Sequence, residues 1–180
     1  MKKTIITAFV LISILFIQGC VQDNYGPQKN EMQQQTNHTS IDEYPVEELS
    51  EAEIEALGIT LNDEYKARAI YKKVIEKFGD IRPFSMIINS ETQHADQLIT
   101  LHEKYSLDVP EDNWYDKVPE FDSVEEACIA AVNAEIENAA LYDEMFAQVD
   151  NQDIISVFTS LRDASKNNHL PAFQRCSGRP

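Results

Sequence analysis

Basic residues are scarce in this sequence, and that scarcity limits the partners the protein could have. The chain holds 15 Lys and Arg against 31 Asp and Glu among 180 residues, so its formal net charge is −16. Binding to phosphate backbones needs clustered Lys and Arg. The composition therefore excludes a nucleic-acid-binding function, and it favours a solvated acidic surface that attracts cations.

Cysteine is almost absent as well, with Cys20, Cys128 and Cys176 as its three occurrences. No two of them are spaced as Cys-x-x-Cys, the pairing on which sulfur-ligated iron sites and zinc ribbons depend. Both kinds of site are therefore excluded. Alternation of polar and apolar residues with period two is also missing over any useful length, so we predict an all-α fold.

The N-terminus lacks an apolar run that comfortably spans a bilayer. Residues 5–17 are mostly apolar and follow two lysines, but they fall short of the roughly 20 residues a spanning helix needs. The run ends in Ile-Gln-Gly before Cys20, which resembles the lipobox of exported lipoproteins. We expect a lipoprotein signal peptide over 1–19 and a lipid on Cys20, which would anchor an exported protein to the membrane, periplasmic or at the cell surface. An ordinary signal peptide or an uncleaved anchor helix is the alternative.

The segment after the signal peptide has the composition of a tether. Residues 21–45 contain five Gln and three Asn with few large apolar side chains, and such a stretch cannot bury a core. We therefore predict a flexible linker over 20–45 and place the folded domain at 46–177.

Apolar residues recur at helical spacing through the rest of the chain. They predict long helices over about 61–78, 83–105, 123–149 and 151–175, with a long connection between the second and third. A capping box, Ser50-x-x-Glu53, predicts a short helix before them, and Gly58 is expected to end it.

Polar side chains interrupt the inward stripes of these helices near their middles. Each Glu and Tyr pair is seven residues apart, or two helical turns, and the Glu-x-x-His pair also shares one face. The interrupting residues are Glu64, Tyr71, Glu91, His94, Glu135, Tyr142 and His169. Buried carboxylates and imidazoles are costly unless a cation or hydrogen bonds compensate them, so the pattern predicts a carboxylate–histidine metal site in a four-helix bundle. The alternative is that these Glu and His lie on exposed faces and that the tyrosines are plain core aromatics.

The bundle contains a weak internal repeat. The segment from Glu64 to Tyr71 aligns with the segment from Glu135 to Tyr142. The sequence Ser-Glu-Thr-Gln-His that ends at His94 likewise aligns with Ser-Lys-Asn-Asn-His, so Lys166 stands where the second repeat should carry Glu.

With these motifs the chain resembles the ferritin-like superfamily, and more closely an uncharacterised ferritin-like domain family. The resemblance implies an antiparallel four-helix bundle with one long crossover and a site for iron, as one or two ions. It implies oxidase or peroxidase chemistry of the rubrerythrin kind. By position the ligands would be Glu64, Glu91, His94, Glu135 and His169, with Tyr71 and Tyr142 orienting the carboxylates. The same donors would also suit manganese or zinc. A homodimer is compatible with the resemblance.

Lys166 departs from the family pattern and allows two interpretations. Its side chain could point outward and leave the second metal position short of a ligand, or its ammonium could reach in and neutralise the carboxylates. We expect one tight metal bound by Glu64, Glu91, His94 and Glu135, and a weak or absent second metal near His169. A binding or structural domain with a degenerate site and no catalysis is the alternative function.

The two remaining cysteines can be placed by counting along antiparallel helices. Cys128 lies seven residues before Glu135, and Cys176 lies seven after His169, so both lie at the same level of the bundle if those ligands share a site. A disulfide is therefore geometrically reasonable, and two buried free thiols are the alternative.

Overall fold

The computed structural model describes residues 48–178, and every regular element in that range is helical. The elements are α1 (Glu51–Phe78), α2 (Phe84–Lys104), α3 (Val124–Met145), α4 (Gln152–Ala164), a π-helical turn (Ser165–His169) and α5 (Leu170–Cys176). The all-α prediction is confirmed. None of these helices combines the length and the apolar character needed to cross a bilayer. The signal peptide, the linker and Cys20 lie outside the described residues.

The helices form two hairpins joined by one long connection. A short link between α1 and α2, and another between α3 and α4, make each pair antiparallel neighbours. Tyr105, just after α2, donates hydrogen bonds to Asn151 and Asp153 at the start of α4. The first turn of α3 instead contacts the end of α5 through Cys128. Residues 105–123 therefore cross the length of the bundle, as the long connection in the sequence predicted.

The buried core is divided into two apolar clusters. The first includes Leu57, Leu98 and Phe158, and the second is built around the rings of Phe84 and Phe173, whose centroids are 5.0 Å apart. Polar side chains from four elements occupy the layer between the clusters. This arrangement explains why the apolar stripes are interrupted near the middle of each helix and not at its ends.

Helix α1 corrects the prediction that Gly58 ends a short helix. The capping box is present, since Ser50 Oγ accepts a hydrogen bond from the backbone N–H of Glu53, but it opens one helix of 28 residues. Leu57 and Leu61 are fully buried on either side of Gly58. Burying two leucines contributes several kcal/mol by the usual estimate of about 2 kcal/mol each. That exceeds the roughly 1 kcal/mol that a helical glycine costs.

The ends of the third and fourth predicted helices also differ from the sequence expectation. Helix α3 ends at Met145, four residues before the predicted end, and Asn151 then caps α4 by accepting from the N–H groups of Asp153 and Ile154. The predicted fourth helix is interrupted by the π turn. Pro171 has no N–H to donate to the carbonyl four residues earlier. Leu170 N–H donates to the carbonyl of Ser165, five residues earlier, which is the hydrogen bond of a π-helix.

Candidate metal centre

Four elements bring five ionisable side chains into the polar layer. Glu64 comes from α1, Glu91 and His94 come from α2, Glu135 comes from α3, and His169 is the last residue of the π turn. All five are at least 94% buried. The structure therefore places every ligand candidate from the sequence in one layer, between the two apolar clusters.

The first group of donors consists of Glu64, Glu91 and His94. His94 Nδ1 lies 3.2 Å from Glu64 Oε2 and 3.1 Å from Glu91 Oε2. The three potential ligand atoms all lie within 4.8 Å of one another. Because the His and one Glu are three residues apart on α2, a single helix face supplies two of the three donors.

The second group consists of Glu91, Glu135 and His169. His169 Nδ1 is 3.1 Å from Glu91 Oε1 and 3.5 Å from Glu135 Oε2. Glu91 thus turns one carboxylate oxygen toward each histidine and belongs to both groups. This grouping corrects the expectation that Glu135 completes the site of His94, because α3 packs beside the π turn and its carboxylate meets His169.

One atom of this layer is left without a hydrogen bond. His169 Nδ1 is buried, and among residues 48–178 it has no hydrogen-bond partner of acceptable geometry, although two carboxylate oxygens are nearby. Buried polar atoms are nearly always paired. An imidazole nitrogen that faces two buried carboxylate oxygens is positioned as a ligand of the same metal ion would be. The donor set therefore fits a metal ion.

The two tyrosines hold the outer carboxylates, and each comes from the other half of the internal repeat. Tyr71 donates to Glu135 Oε1 over 2.6 Å, and Tyr142 donates to Glu64 Oε1 over 2.7 Å. Both rings are fully buried. Each hydrogen bond fixes one oxygen of its carboxylate and leaves the other directed at a histidine, which is how partners outside a metal's own ligand set orient the ligands.

A hydrogen-bonded chain that was not predicted from the sequence joins the π turn to Glu64. Ser165 Oγ donates to Asn138 Oδ1 over 2.7 Å, and Asn138 Nδ2 donates to Glu64 Oε1 over 3.2 Å and to Asp63 over 2.9 Å. Asn138 stands on the inward stripe of α3, three residues after Glu135, and that position was the available signal. The corresponding residue after Glu64 is Ala67, so the chain makes the two halves of the site unequal.

Lys166 is exposed and does not reach the carboxylates. The interpretation in which its ammonium neutralises them is therefore wrong. In the π turn the residue three positions before His169 no longer shares its face, because each turn is wider than in an α-helix. Ser165, four positions before His169, is buried beside the site in its place.

The charges of the layer depend on one another. Burial, reinforced by neighbouring Glu91, raises the pKa of Glu64 to about 7. Burial alone would lower the pKa values of both histidines, but contacts with the carboxylates outweigh it and raise His94 to about 9 and His169 to about 10. Burial would raise the pKa of Glu91, yet its contacts with the two histidines hold it below the ordinary value. In the absence of a metal the imidazoles are therefore protonated at neutral pH and balance the carboxylates.

A small cavity next to the site lies between α1 and α3. Its volume is about 20 Å³, and it is bordered by Glu91, Glu135, Asp63 and Glu137. That volume is enough for about one water molecule. From this side the layer is therefore accessible to water or a small ion and closed to an organic molecule.

The sulfurs of Cys128 and Cys176 lie at bonding distance, and their Cα atoms are 5.7 Å apart, within the range of disulfides. The disulfide thus links the start of α3 to the last turn of α5. Both cysteines lie at the same level of the bundle, as their seven-residue distances from Glu135 and His169 predicted. Cys20, the predicted lipid attachment site, is outside the described residues.

Similarity to other proteins covers the helices that carry the site. The model of a family described as an uncharacterized protein domain (DUF2202) matches residues 53–178. The crystal structure of hypothetical protein MJ0754 from Methanococcus jannaschii is similar at 28% identity and a TM-score of 0.68. That match spans 74% of this chain and 84% of the other. No curated protein matches the sequence. The family match includes all five candidate ligands in its range, and neither likeness by itself names a reaction.

Proposed function

The chain belongs to the DUF2202 family, and we propose that this member binds divalent ions of the first transition series, iron first among them. Two ions would share Glu91, one held with Glu64 and His94 and the other with Glu135 and His169. The observation that carries the proposal is the pair of buried donor groups around Glu91, with His169 Nδ1 unpaired among residues 48–178. His169 Nδ1 faces one oxygen of Glu91 and one of Glu135, so all three could ligate the same ion.

The donor chemistry narrows the choice of metal. Carboxylate and imidazole ligands suit iron, manganese and zinc, and the described residues bring no thiolate to the site. The preference for iron rests on the resemblance of the motifs to ferritin-like proteins. Three protein donors for each ion leave coordination positions open, which is typical of reactive centres and not of closed structural ones.

A bound iron pair would supply one-electron redox chemistry, and we propose oxidase or peroxidase activity of the rubrerythrin kind. The protein's own contribution is orientation and exclusion of water. Tyr71 and Tyr142 hold the outer carboxylates, and apolar clusters close the layer from both ends of the bundle. The opening toward α1 and α3 is only large enough for a small ion or a molecule about the size of water.

Metal content of protein purified without chelator tests the proposal. We expect up to two iron or manganese ions per chain, measured by plasma mass spectrometry against protein concentration. Consumption of hydrogen peroxide with oxidation of bound Fe(II) would support the peroxidase, whereas binding without consumption would indicate a scavenging module. A folded protein that binds neither iron, manganese nor zinc after stripping and reloading would contradict the metal site. It would favour a structural domain whose polar layer holds no metal.

The chelator-stripped protein should lose thermal stability as pH rises from about 6.5 to about 9. His94 and His169 have pKa values of about 9 and about 10 in the folded chain, above the unfolded value of about 6.5. Their stabilising contribution is therefore complete below pH 6.5 and is lost as pH rises through the folded values. Melting curves at pH 6.5, 8 and 9 measure the slope.

A matched histidine provides the control for this pH dependence. His102 is also buried, but its Nδ1 contacts the backbone carbonyl of Leu98 instead of a carboxylate. His102→Gln should keep the slope, and the double variant His94→Gln/His169→Gln should flatten it. A stripped protein whose melting temperature does not fall over this range would show that the histidines are not charged as described.

We also propose that the bundle is exported and tethered to the membrane by lipid on Cys20. The proposal is supported by the lysine-preceded apolar run and by the residues before Cys20. Stable anchoring needs more than one acyl chain, since membrane affinity scales with the number of buried CH₂ groups. Replacing Cys20 with Ser should move the protein from the membrane fraction to the soluble fraction. A variant that remains in the membrane with an unchanged mature mass would contradict the lipid anchor.

A further inference from the structure

A groove on the surface of the bundle reaches the polar layer from the side opposite the α1–α3 cavity. It runs between α2 and the segment formed by the π turn and α5, and His169 is one of the residues that line it. Its volume is about 610 Å³, within the range of roughly 300–1,000 Å³ typical of small-molecule sites. Unlike the cavity, this groove is large enough for an organic ligand.

The middle of the groove is apolar. Pro83, Met86 and Ile87 line it from α2 and its first turn, and Ala172 lines it from α5. Met86 is 55% exposed, the largest exposure of any large hydrophobic side chain in the described residues. An apolar chain lying here would remove Met86 from water, which is favourable in proportion to the area covered.

One end of the groove carries two exposed arginines. Arg82 and Arg175 both line it, and neither forms an ion pair among residues 48–178. Arg68 and Arg162 differ from them, since both are half-buried and each is paired with aspartate. In a chain with a net charge of −16, two guanidinium groups free of carboxylates mark a local preference for an anion. Guanidinium binds carboxylate with matching planar geometry.

The other end of the groove is polar and borders the metal layer. Ser90, Asn168 and His169 line it there. Pro83 and Ser90 are seven residues apart on α2, so the arginine end and the His169 end are separated by about 10 Å. A ligand that fills the groove is therefore anionic at one end, apolar along about 10 Å, and in contact with a metal-ligating histidine at the other.

We propose that this groove binds an amphipathic carboxylate, with its carboxylate at Arg82 and Arg175 and its distal end beside His169. Binding itself requires only the groove and does not depend on a metal. That the distal end would be the part exposed to metal chemistry rests on the function proposed above. The organic ligand would thus enter from the α2–α5 side and belong to the fatty-acid class.

Calorimetric titration of chelator-stripped protein with octanoate tests binding in the groove separately from the metal site. We expect saturable binding of octanoate and at least tenfold weaker binding of octylamine, which has the same chain and the opposite charge. The double variant Arg82→Gln/Arg175→Gln should weaken octanoate binding about tenfold, since two exposed ion pairs are lost. Lys166→Gln removes an exposed cation from the adjoining π turn, outside the groove, and should leave the affinity unchanged.

A second variant tests the apolar part. Ala172→Phe places a ring in the groove and should abolish octanoate binding while circular dichroism shows the helix content unchanged. Octanoate binding that does not saturate, equal affinity for octylamine, or full affinity in the double arginine variant would each overturn the proposal. Because the protein is stripped of metal, a failure here leaves the metal proposal standing, and a missing metal site leaves this test intact.

Discussion

Replacing Glu91 with Gln should abolish metal binding at both of the proposed positions. Glu91 directs Oε1 toward His169 and Oε2 toward His94, so one carboxylate serves both donor groups. The amide of Gln carries no charge, and only its single carbonyl oxygen can act as a ligand. Loss of partners that merely orient ligands already weakens metal binding about 10–100-fold, and loss of a shared ligand should exceed that for each ion.

The histidines should behave differently from Glu91. Each belongs to one donor group, so His94→Gln should lose the ion held with Glu64 and retain the ion held with Glu135, and His169→Gln should do the reverse. After loading with Fe(II) under anaerobic conditions, mass spectrometry should find no bound ion per chain in Glu91→Gln. It should find one ion per chain in His94→Gln and one in His169→Gln. Circular dichroism confirms that each variant is folded before its metal content is compared.

An exposed glutamate offers the matched control. Glu137 lies two residues after Glu135 and is exposed, so Glu137→Gln makes the same chemical change without touching a donor group. It should retain both ions. If Glu91→Gln binds as much metal as Glu137→Gln, Glu91 does not bridge the two groups. If His94→Gln and His169→Gln each lose both ions, the two positions bind only as a pair.

The five candidate ligands were accessible from sequence because helical periodicity reports burial. Glu91 and His94 interrupt an apolar stripe with a spacing that keeps both on one face, and Glu64 and Glu135 do so with a tyrosine two turns later. Such patterns identify which residues point inward. They also predicted the layer between two apolar regions, which the two core clusters of the structure display.

How those residues are grouped was not accessible in the same way. The partner of Glu135 depends on the axial position of α3 relative to the π turn. The periodicity of a sequence does not specify that position. Tyrosine pairing crosses between the repeat halves for the same reason, with Tyr71 bound to Glu135 and Tyr142 bound to Glu64.

The π turn was not predicted from the sequence. The repeat alignment put Lys166 where the second repeat should carry Glu, with its side chain pointing either outward or toward the carboxylates, and the structure has it exposed. Pro171 has no backbone N–H to donate, and the π turn lies just before it in the chain. That wider turn exposes Lys166 and buries Ser165 against Asn138.

Gly58 shows the opposite kind of error, in which a local signal is overridden by packing. Glycine after an apolar run is a frequent helix end, and here the residues on both sides of it are core. The capping box was recognised correctly, while the length of the helix it opens was decided by the burial of leucines one turn apart.

Breaking the link between Cys128 and Cys176 should lower the free energy of unfolding by about 4 kcal/mol. The cysteines are 48 residues apart, and cross-linking a loop of that size removes this much conformational freedom from the unfolded chain. For a domain of this size the melting temperature should fall by about 15 °C. Helix α5, one of the two it joins, also carries Phe173, which packs on Tyr71 at a centroid distance of 5.1 Å. A loosened α5 would therefore disturb the tyrosine that holds Glu135.

Urea unfolding with and without a phosphine reductant measures this contribution, in a Cys20→Ser background so that only two thiols are counted. The double variant Cys128→Ala/Cys176→Ala is the control, because it lacks the bridge and should show no effect of reductant. Alanine is chosen over serine since Cys128 is fully buried and a hydroxyl there would need a partner. With reductant, the free energy of unfolding of the parent protein should fall close to that of the double variant. The remaining difference is the packing that the variant loses with its two sulfur atoms. Alkylation of both cysteines in native, unreduced protein, read by intact mass, would show free thiols and remove the basis for the 4 kcal/mol.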